Sequence, residues 1–354
     1  MPVFRIHRHV FVFLFISGML LVSSCNRNFF RFFSSDTRYQ LTTETQLLDT
    51  THSREIDKFY DSGEEGTFEG KRNISIYYKK FEHPDTEKAI VISSGRTEAA
   101  IKYKEVIYDL YRNGYSVYIH DHRGQGQSGR MTDDPQMGYV KAFQAYIDDM
   151  KMFYNDHVAP RNYDHTYLLA HSMGGAIGMT YLEQFPEDFD AAAFSSPMLG
   201  LKAPICSAAK VLVGEKPKYA VGQTAYKEDS LSFKNNALTG SKVRYDRMIA
   251  AYAEVPEARL GGATYRWLRE SCKQFQYLYD HIDQIETPFI LFSAENESIV
   301  APYAHQKFIT AAKDAGKKCV AYEVEGAEHE LLIEQDEQRT QTLNATLDFY
   351  KRYD

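Results

Sequence analysis

Ser172 stands in Leu168-Leu169-Ala170-His171-Ser172-Met173-Gly174-Gly175, where an apolar run ends and a helix-forming segment begins. A serine on so sharp a strand-to-helix turn needs small residues two before and two after it, so that strand and helix can approach. Ala170 and Gly174 meet that need, with alanine in a place more often held by glycine. The chemistry of such a turn is attack on a carbonyl carbon by a hydroxyl that an imidazole activates and an acid orients. Without partners, Ser172 reads as a helix N-cap. The acid and then the histidine should follow the serine along the chain. His329, in Gly326-Ala327-Glu328-His329-Glu330, comes after a strand and before the last helix, where a loop delivers an imidazole to the sheet edge. His305 falls within a helix and reads as a packing or surface residue. The acid falls in Glu295-Asn296-Glu297-Ser298-Ile299-Val300, which offers Glu295 and Glu297. Two backbone amides should hold the oxyanion: that of Met173, after the serine, and that of Arg96, in Ser94-Gly95-Arg96-Thr97-Glu98. Each such donor stabilises the transition state by roughly 3 to 4 kcal/mol.

These residues need a scaffold that brings several loops to one edge. Segments 67–70 and 74–81 read as an antiparallel hairpin around Lys71-Arg72-Asn73. From there apolar strands alternate with helices: strand 89–95, helix 102–114, strand 115–121, a helix around 139–157, strand 166–172, the helix after Ser172, and strand 190–196. Strand 288–294, a helix around 303–315, strand 318–326 and a helix from about Leu332 to Tyr350 complete the chain. Such alternation predicts an α/β fold with a mostly parallel central sheet covered by helices on both faces. Residues 198–284 interrupt the rhythm with helical stretches, 242–255 and 264–275, and are expected to form a lid over the site. Gly124-Gln125-Gly126-Gln127-Ser128-Gly129 has dinucleotide-loop spacing without a helix opening behind it, and reads as a structural turn.

The chain has 354 residues, 44% of them hydrophobic, enough for one large α/β domain. Its formal charge is −7, or −9 without the first 25 residues, which carry Arg5 and Arg8; no Lys/Arg-rich run offers a footprint for nucleic acid. Basic residues 1–9, apolar residues 10–22 and small residues before Cys25 have a secretory signal layout, too short for a membrane span. Leu21-Val22-Ser23-Ser24-Cys25 resembles a bacterial lipobox, which implies lipidation of Cys25 and a membrane-anchored lipoprotein of the bacterial cell envelope. Polar, Ser/Thr-rich residues 26–51 then read as a flexible tether, and the domain as 52–354. Cys206 and Cys272 can pair in an oxidising compartment; read singly, they and Cys319 are small apolar residues. No cysteine or histidine spacing suggests a metal site.

Taken together, the motifs SGRTE, DHRGQGQSGR, AHSMGG, ENESIV and GAEHE resemble the monoacylglycerol lipase and lysophospholipase branch of the α/β-hydrolases, the serine aminopeptidase-like family. The resemblance runs from about residue 55 to the C-terminus and is nearest to bacterial lysophospholipases, which share a lid segment like Gly261-Gly262-Ala263-Thr264-Tyr265-Arg266-Trp267. It implies an α/β-hydrolase fold with a helical lid. It also implies Glu297 rather than Glu295 as the acid, because Glu297 has the offset before Val300 at which relatives carry aspartate. Ser94 stands where many relatives carry histidine, a change that removes no amide. The implied reaction is hydrolysis of a lysophospholipid or monoacylglycerol ester at a membrane surface through an acyl-enzyme, with no metal or organic cofactor. A carboxylesterase, a proline-releasing peptidase and a non-catalytic lipid-binding lipoprotein are the rival readings.

Overall fold

The computed structural model describes residues 38–228 and 232–354. The signal-like segment 1–25, Cys25 and the first part of the expected tether lie outside them. The rest of that tether, from Arg38, is packed structure. It forms helices α1 (Glu44–Leu48) and α2 (Thr50–Asp61). The Ser/Thr-rich polarity that suggests a linker is capping chemistry instead. Thr43 and Gln46 close a capping box on α1, and Asp49 accepts from Thr51 N to cap α2. Thr42 is buried, its amide and hydroxyl donating to Asp109 at 3.0 and 2.6 Å.

Strands β1 (Glu64–Gly70) and β2 (Ile74–Phe81) form the expected hairpin. Next come β3 (Lys88–Ser93), α3 (Lys104–Arg112), β4 (Ser116–His120), α4 (Gln144–Phe153), β5 (His165–His171), α5 (Met173–Gln184) and β6 (Ala191–Ser195). Helices α6 (Ile205–Leu212), α7 (Lys242–Glu254) and α8 (Tyr265–Asp280) fill the interruption. Strand β7 (Phe289–Ala294), α9 (Pro302–Asp314), β8 (Cys319–Val324) and α10 (Asp336–Tyr350) complete the chain. The strands form one eight-stranded sheet in the order β1-β2-β4-β3-β5-β6-β7-β8. It is antiparallel from β1 to β4 and parallel from β4 onward.

The inner parallel strands read as unbroken apolar runs because both faces are covered. Alternate residues enter opposite cores: Val91, Leu168, Phe194 and Leu291 on one side, Ile92, Leu169, Ala193 and Phe292 on the other. Helices α4, α5, α8 and α9 line the first core; α3, α7 and α10 line the second. The glycine-rich string is a turn: Gly124 and Gly126 have φ of +80° and +57°, and Asp121 accepts from Ala100 N and Gln127 N, each at 2.7 Å.

The insertion is tied to itself and to the body. A disulfide joins Cys206 on α6 to Cys272 on α8, with Cα atoms 5.6 Å apart. Gly138 donates to the Gly262 carbonyl at 2.9 Å and Thr264 N returns to the Gly138 carbonyl at 2.9 Å. Among the described residues no helix is long and apolar enough to cross a membrane.

Helix α5 also carries Glu183, which is 3% exposed with neither carboxylate oxygen hydrogen-bonded among the described residues. Burial, then Asp283, pushes its carboxyl up to about 9 from an ordinary 4.5. The folded protein therefore keeps a proton that the unfolded chain releases. Stability attributable to this group falls as pH rises from 4.5 to about 9, at ~1.4 kcal/mol per pH unit. Glu183→Gln, which resembles the protonated side chain, is expected to raise the thermal midpoint at pH 8 and to lose that advantage near pH 4.5. Melting curves across that interval check it; an equal gain at both ends would show that titration is not the cause.

Candidate functional site

All the site residues stand at the carboxyl ends of parallel strands, the edge where ligands of open α/β sheets bind. Ser172 follows β5, Arg96 lies in the loop after β3, Glu297 in the loop after β7 and His329 in the loop after β8. Ser172 has φ +51° and ψ −116°, a strained conformation that lifts its hydroxyl off the end of the strand. The turn is possible because Gly174 has no side chain: a Cβ there would collide with the carbonyls of Ser93 and Ser94 on β3 and the loop after it. Gly174→Ala is accordingly expected to destabilise the fold by about 1 to 3 kcal/mol, read as a lower thermal midpoint. An unshifted midpoint would mean that helix and strand can separate there freely.

The structure brings three of the expected residues into one hydrogen-bonded chain. His329 Nε2 lies 2.9 Å from Ser172 Oγ, and His329 Nδ1 lies 2.7 Å from Glu297 Oε2. All three are buried. Glu297 is further fixed by the amides of Ile299 and Val300, which donate to its Oε1 at 2.7 and 3.0 Å. Burial pushes the Glu297 carboxyl up, but His329 and those amides outweigh it and hold the group below its ordinary value. The ionised Glu297 accepts from Nδ1–H, which leaves Nε2 as the acceptor for the Ser172 hydroxyl. Glu295 is elsewhere: its Oε2 accepts from Gly326 N at 2.7 Å. His305 is a buried packing residue that donates from Nε2 to the Pro197 carbonyl at 2.7 Å. The amides of Arg96 and Met173 bond to no acceptor among the described residues.

Beneath these loops lies a polar network that motif reading did not foresee. Lys102 Nζ is buried between Glu98 and Glu330, 2.6 Å from Glu330 Oε2. Glu98 Oε2 also accepts from the Gly95 amide and from Tyr103 OH at 2.6 Å. Gln125 Nε2 donates to the carbonyls of Gly95 and Glu98 at 2.7 and 2.9 Å. Tyr252 on α7 donates to the Thr97 carbonyl at 3.0 Å. The network joins the Gly95–Arg96 loop to the residue after His329. Glu98, His171 and Glu330 place ligand-type atoms within 4.8 Å of one another, but the Lys102 ammonium already supplies their cation. Burial pushes His171 down to about 4, so its ring, 4.9 Å from that of His329, is neutral at neutral pH. The spacing of Glu98 and Lys102, one helical turn apart, was the only sequence sign of this network.

A buried serine–imidazole–carboxylate chain at this edge of such a sheet is the arrangement of an α/β-hydrolase. The family model for serine aminopeptidase, S33, matches residues 84–336, and the chain belongs to that family. It is 36% identical over 312 residues to lysophospholipase L2 of Escherichia coli strain K12, covering 84% of this chain and 90% of the relative. A monoacylglycerol lipase of Mycolicibacterium smegmatis is 30% identical over 42% of this chain and 53% of its own. Among solved structures, the Paleococcus ferrophilus monoacylglycerol lipase aligns with a TM-score of 0.62 at 18% identity, over 79% of this chain and 99% of that one. A soluble variant of the Saccharomyces cerevisiae monoglyceride lipase aligns with a TM-score of 0.63, over 82% and 97%. These structural likenesses bear on the fold. The protein is thus a carboxylic-ester hydrolase of the lysophospholipase and monoacylglycerol lipase type.

Proposed function

We propose that the protein is a lysophospholipase that releases a fatty acid through a Ser172–His329–Glu297 triad and an acyl-enzyme. The observation that carries this reading is the hydrogen-bonded chain from Ser172 Oγ to Glu297. Ser172 Oγ attacks the ester carbonyl while its proton passes to His329 Nε2, and Glu297 stabilises the imidazolium that forms. The amides of Arg96 and Met173 receive the oxyanion. His329 then protonates the departing glycerol oxygen, and water resolves the acyl-enzyme by the same proton path. The insertion over residues 198–284 acts as a lid that excludes water from the reaction.

The lysophospholipid preference rests on the curated lysophospholipase aligning over most of both chains, whereas the monoacylglycerol lipase aligns over less than half of this one. Lysophosphatidylcholine, lysophosphatidylethanolamine, monoolein and p-nitrophenyl esters tested side by side on purified protein decide it. Faster turnover of monoolein would favour the monoacylglycerol lipase reading. The same proposal places the enzyme in the bacterial envelope as a lipoprotein anchored through Cys25; palmitate labelling that survives Cys25→Ala would exclude that anchor.

A further inference from the structure

The buried cations of this protein come with carboxylates. Lys102 has Glu98 and Glu330, Arg123 has Asp149, Arg244 has Glu105, and Arg339 has Asp109. Arg96 does not. Its guanidinium makes no ion pair among the described residues. One nitrogen, Nη1, donates to the Gly261 carbonyl at 3.1 Å, and the Trp267 ring covers one face at 5.3 Å. Both partners belong to the insertion. The Nε and Nη2 edge is left with no hydrogen bond among the described residues, and the residue as a whole is half-buried. Burial lowers its affinity for the proton, to a pKa of about 10, which is the signature of a cation short of a counter-charge.

We infer that the Arg96 side chain is the receptor for the phosphodiester of the lysophospholipid, so that one residue serves the reaction twice: its amide meets the oxyanion and its guanidinium meets the headgroup phosphate. The inference rests on the lysophospholipase reading above. It follows from connectivity as well as charge. From the Arg96 amide nitrogen to its guanidinium carbon there are as many bonds as from the ester carbonyl carbon, along the glycerol, to the phosphorus. An ester carbonyl at the amide and a phosphate at the Nε–Nη2 edge can therefore belong to one lysophospholipid, and the geometry of that fork matches two phosphate oxygens. The Gly261 carbonyl and Trp267 fix the guanidinium in advance, which lowers the entropy lost on binding. A monoacylglycerol presents a hydroxyl at the same place and cannot neutralise the cation.

The test compares 1-oleoyl lysophosphatidylcholine with 1-monooleoylglycerol in the same detergent micelles, for the wild type, Arg96→Gln and Arg96→Lys. Oxyanion contacts serve both substrates alike, so the ratio of their kcat/KM values isolates the phosphate. That ratio is expected to fall about 10- to 100-fold in Arg96→Gln, the equivalent of one charge-assisted contact, and to recover in part in Arg96→Lys. Glycerophosphocholine should inhibit the wild type competitively and Arg96→Gln far less. Parallel loss on both substrates, with the ratio unchanged, overturns the inference and leaves Arg96 as a brace to the insertion. A wild-type enzyme that cleaves monooleoylglycerol and no lysophospholipid overturns the underlying reading instead, and that result requires no variant.

Discussion

Ser172→Ala is expected to lower kcat for ester hydrolysis by ~10⁵-fold or more while the fold stays intact. In the proposed mechanism the loss is large because Ser172 Oγ is the one triad atom that bonds to the carbonyl carbon of the substrate. His329→Ala should cost about as much, and the double variant no more than either, since nucleophile and base act as one unit. Glu297→Gln keeps the shape of the side chain but removes the charge that orients Nδ1–H and stabilises the imidazolium; a loss of about 10⁴-fold is expected. Glu295→Gln should leave kcat close to the wild type, because Glu295 accepts from Gly326 N and does not touch His329. Single-turnover and steady-state assays on the five variants check these values. Fluorophosphonate labelling gives an independent reading, present in the wild type and absent in Ser172→Ala. Strong labelling of Ser172→Ala would place the nucleophile elsewhere, and a large effect of Glu295→Gln would overturn the choice of acid.

Lys102→Met is expected to destabilise the fold by about 3 to 5 kcal/mol at pH 8 and to slow catalysis as well. The methionine matches the volume of the lysine stem but leaves Glu98 and Glu330 facing each other without a cation. In the wild type, burial alone would raise Glu98, yet Lys102 and His171 more than offset it and bring its carboxyl to about 2 from 4.5, whereas burial and the neighbouring Glu98 hold Glu330 above its ordinary value despite the same ammonium. Because the folded value is depressed, the stability from Glu98 is fully present above pH 4.5 and is lost as pH falls toward 2. In Lys102→Met the carboxylates are uncompensated, so they bind protons more readily in the folded state and the deficit shrinks as pH falls. Urea unfolding at pH 5 and pH 8 measures both sides of this, with the larger loss expected at pH 8. Equal losses at the two values would contradict the assignment of a charged network. Since Glu98 holds the Gly95 amide and Glu330 follows His329, kcat should fall with stability, and Lys102→Arg should restore part of both.

Some of this was open to anyone reading the chain. The central strands announce themselves as unbroken apolar runs because both of their faces are buried, and periodicity records burial. The turn at Ser172 is equally local: its small neighbours are needed within two residues, so Ala170 and Gly174 suffice to mark it. His329 stands out by its place between the last strand and the last helix, whereas Glu297 is preferred to Glu295 only through the resemblance, by its offset from Val300. Local chemistry also misled. Residues 38–51 look like a linker because they are polar, yet their polar groups cap α1 and α2 and satisfy the buried Asp109.

What lay beyond the reach of sequence depends on segments far apart meeting in space. Cys206 and Cys272 are 66 residues apart, and nothing in their spacing says whether α6 and α8 lie side by side. Glu98 and Lys102 are one helical turn apart, but their third member, Glu330, arrives from the other end of the chain. Arg96 could be placed in the oxyanion loop from its position after Gly95. That its guanidinium finds a carbonyl and an aromatic face and, among the described residues, no carboxylate could not be foreseen, because those neighbours lie more than 160 residues further along the chain. Backbone conformation and burial are written in neighbouring residues, whereas the pairing of charges is set where loops from distant parts of the chain converge.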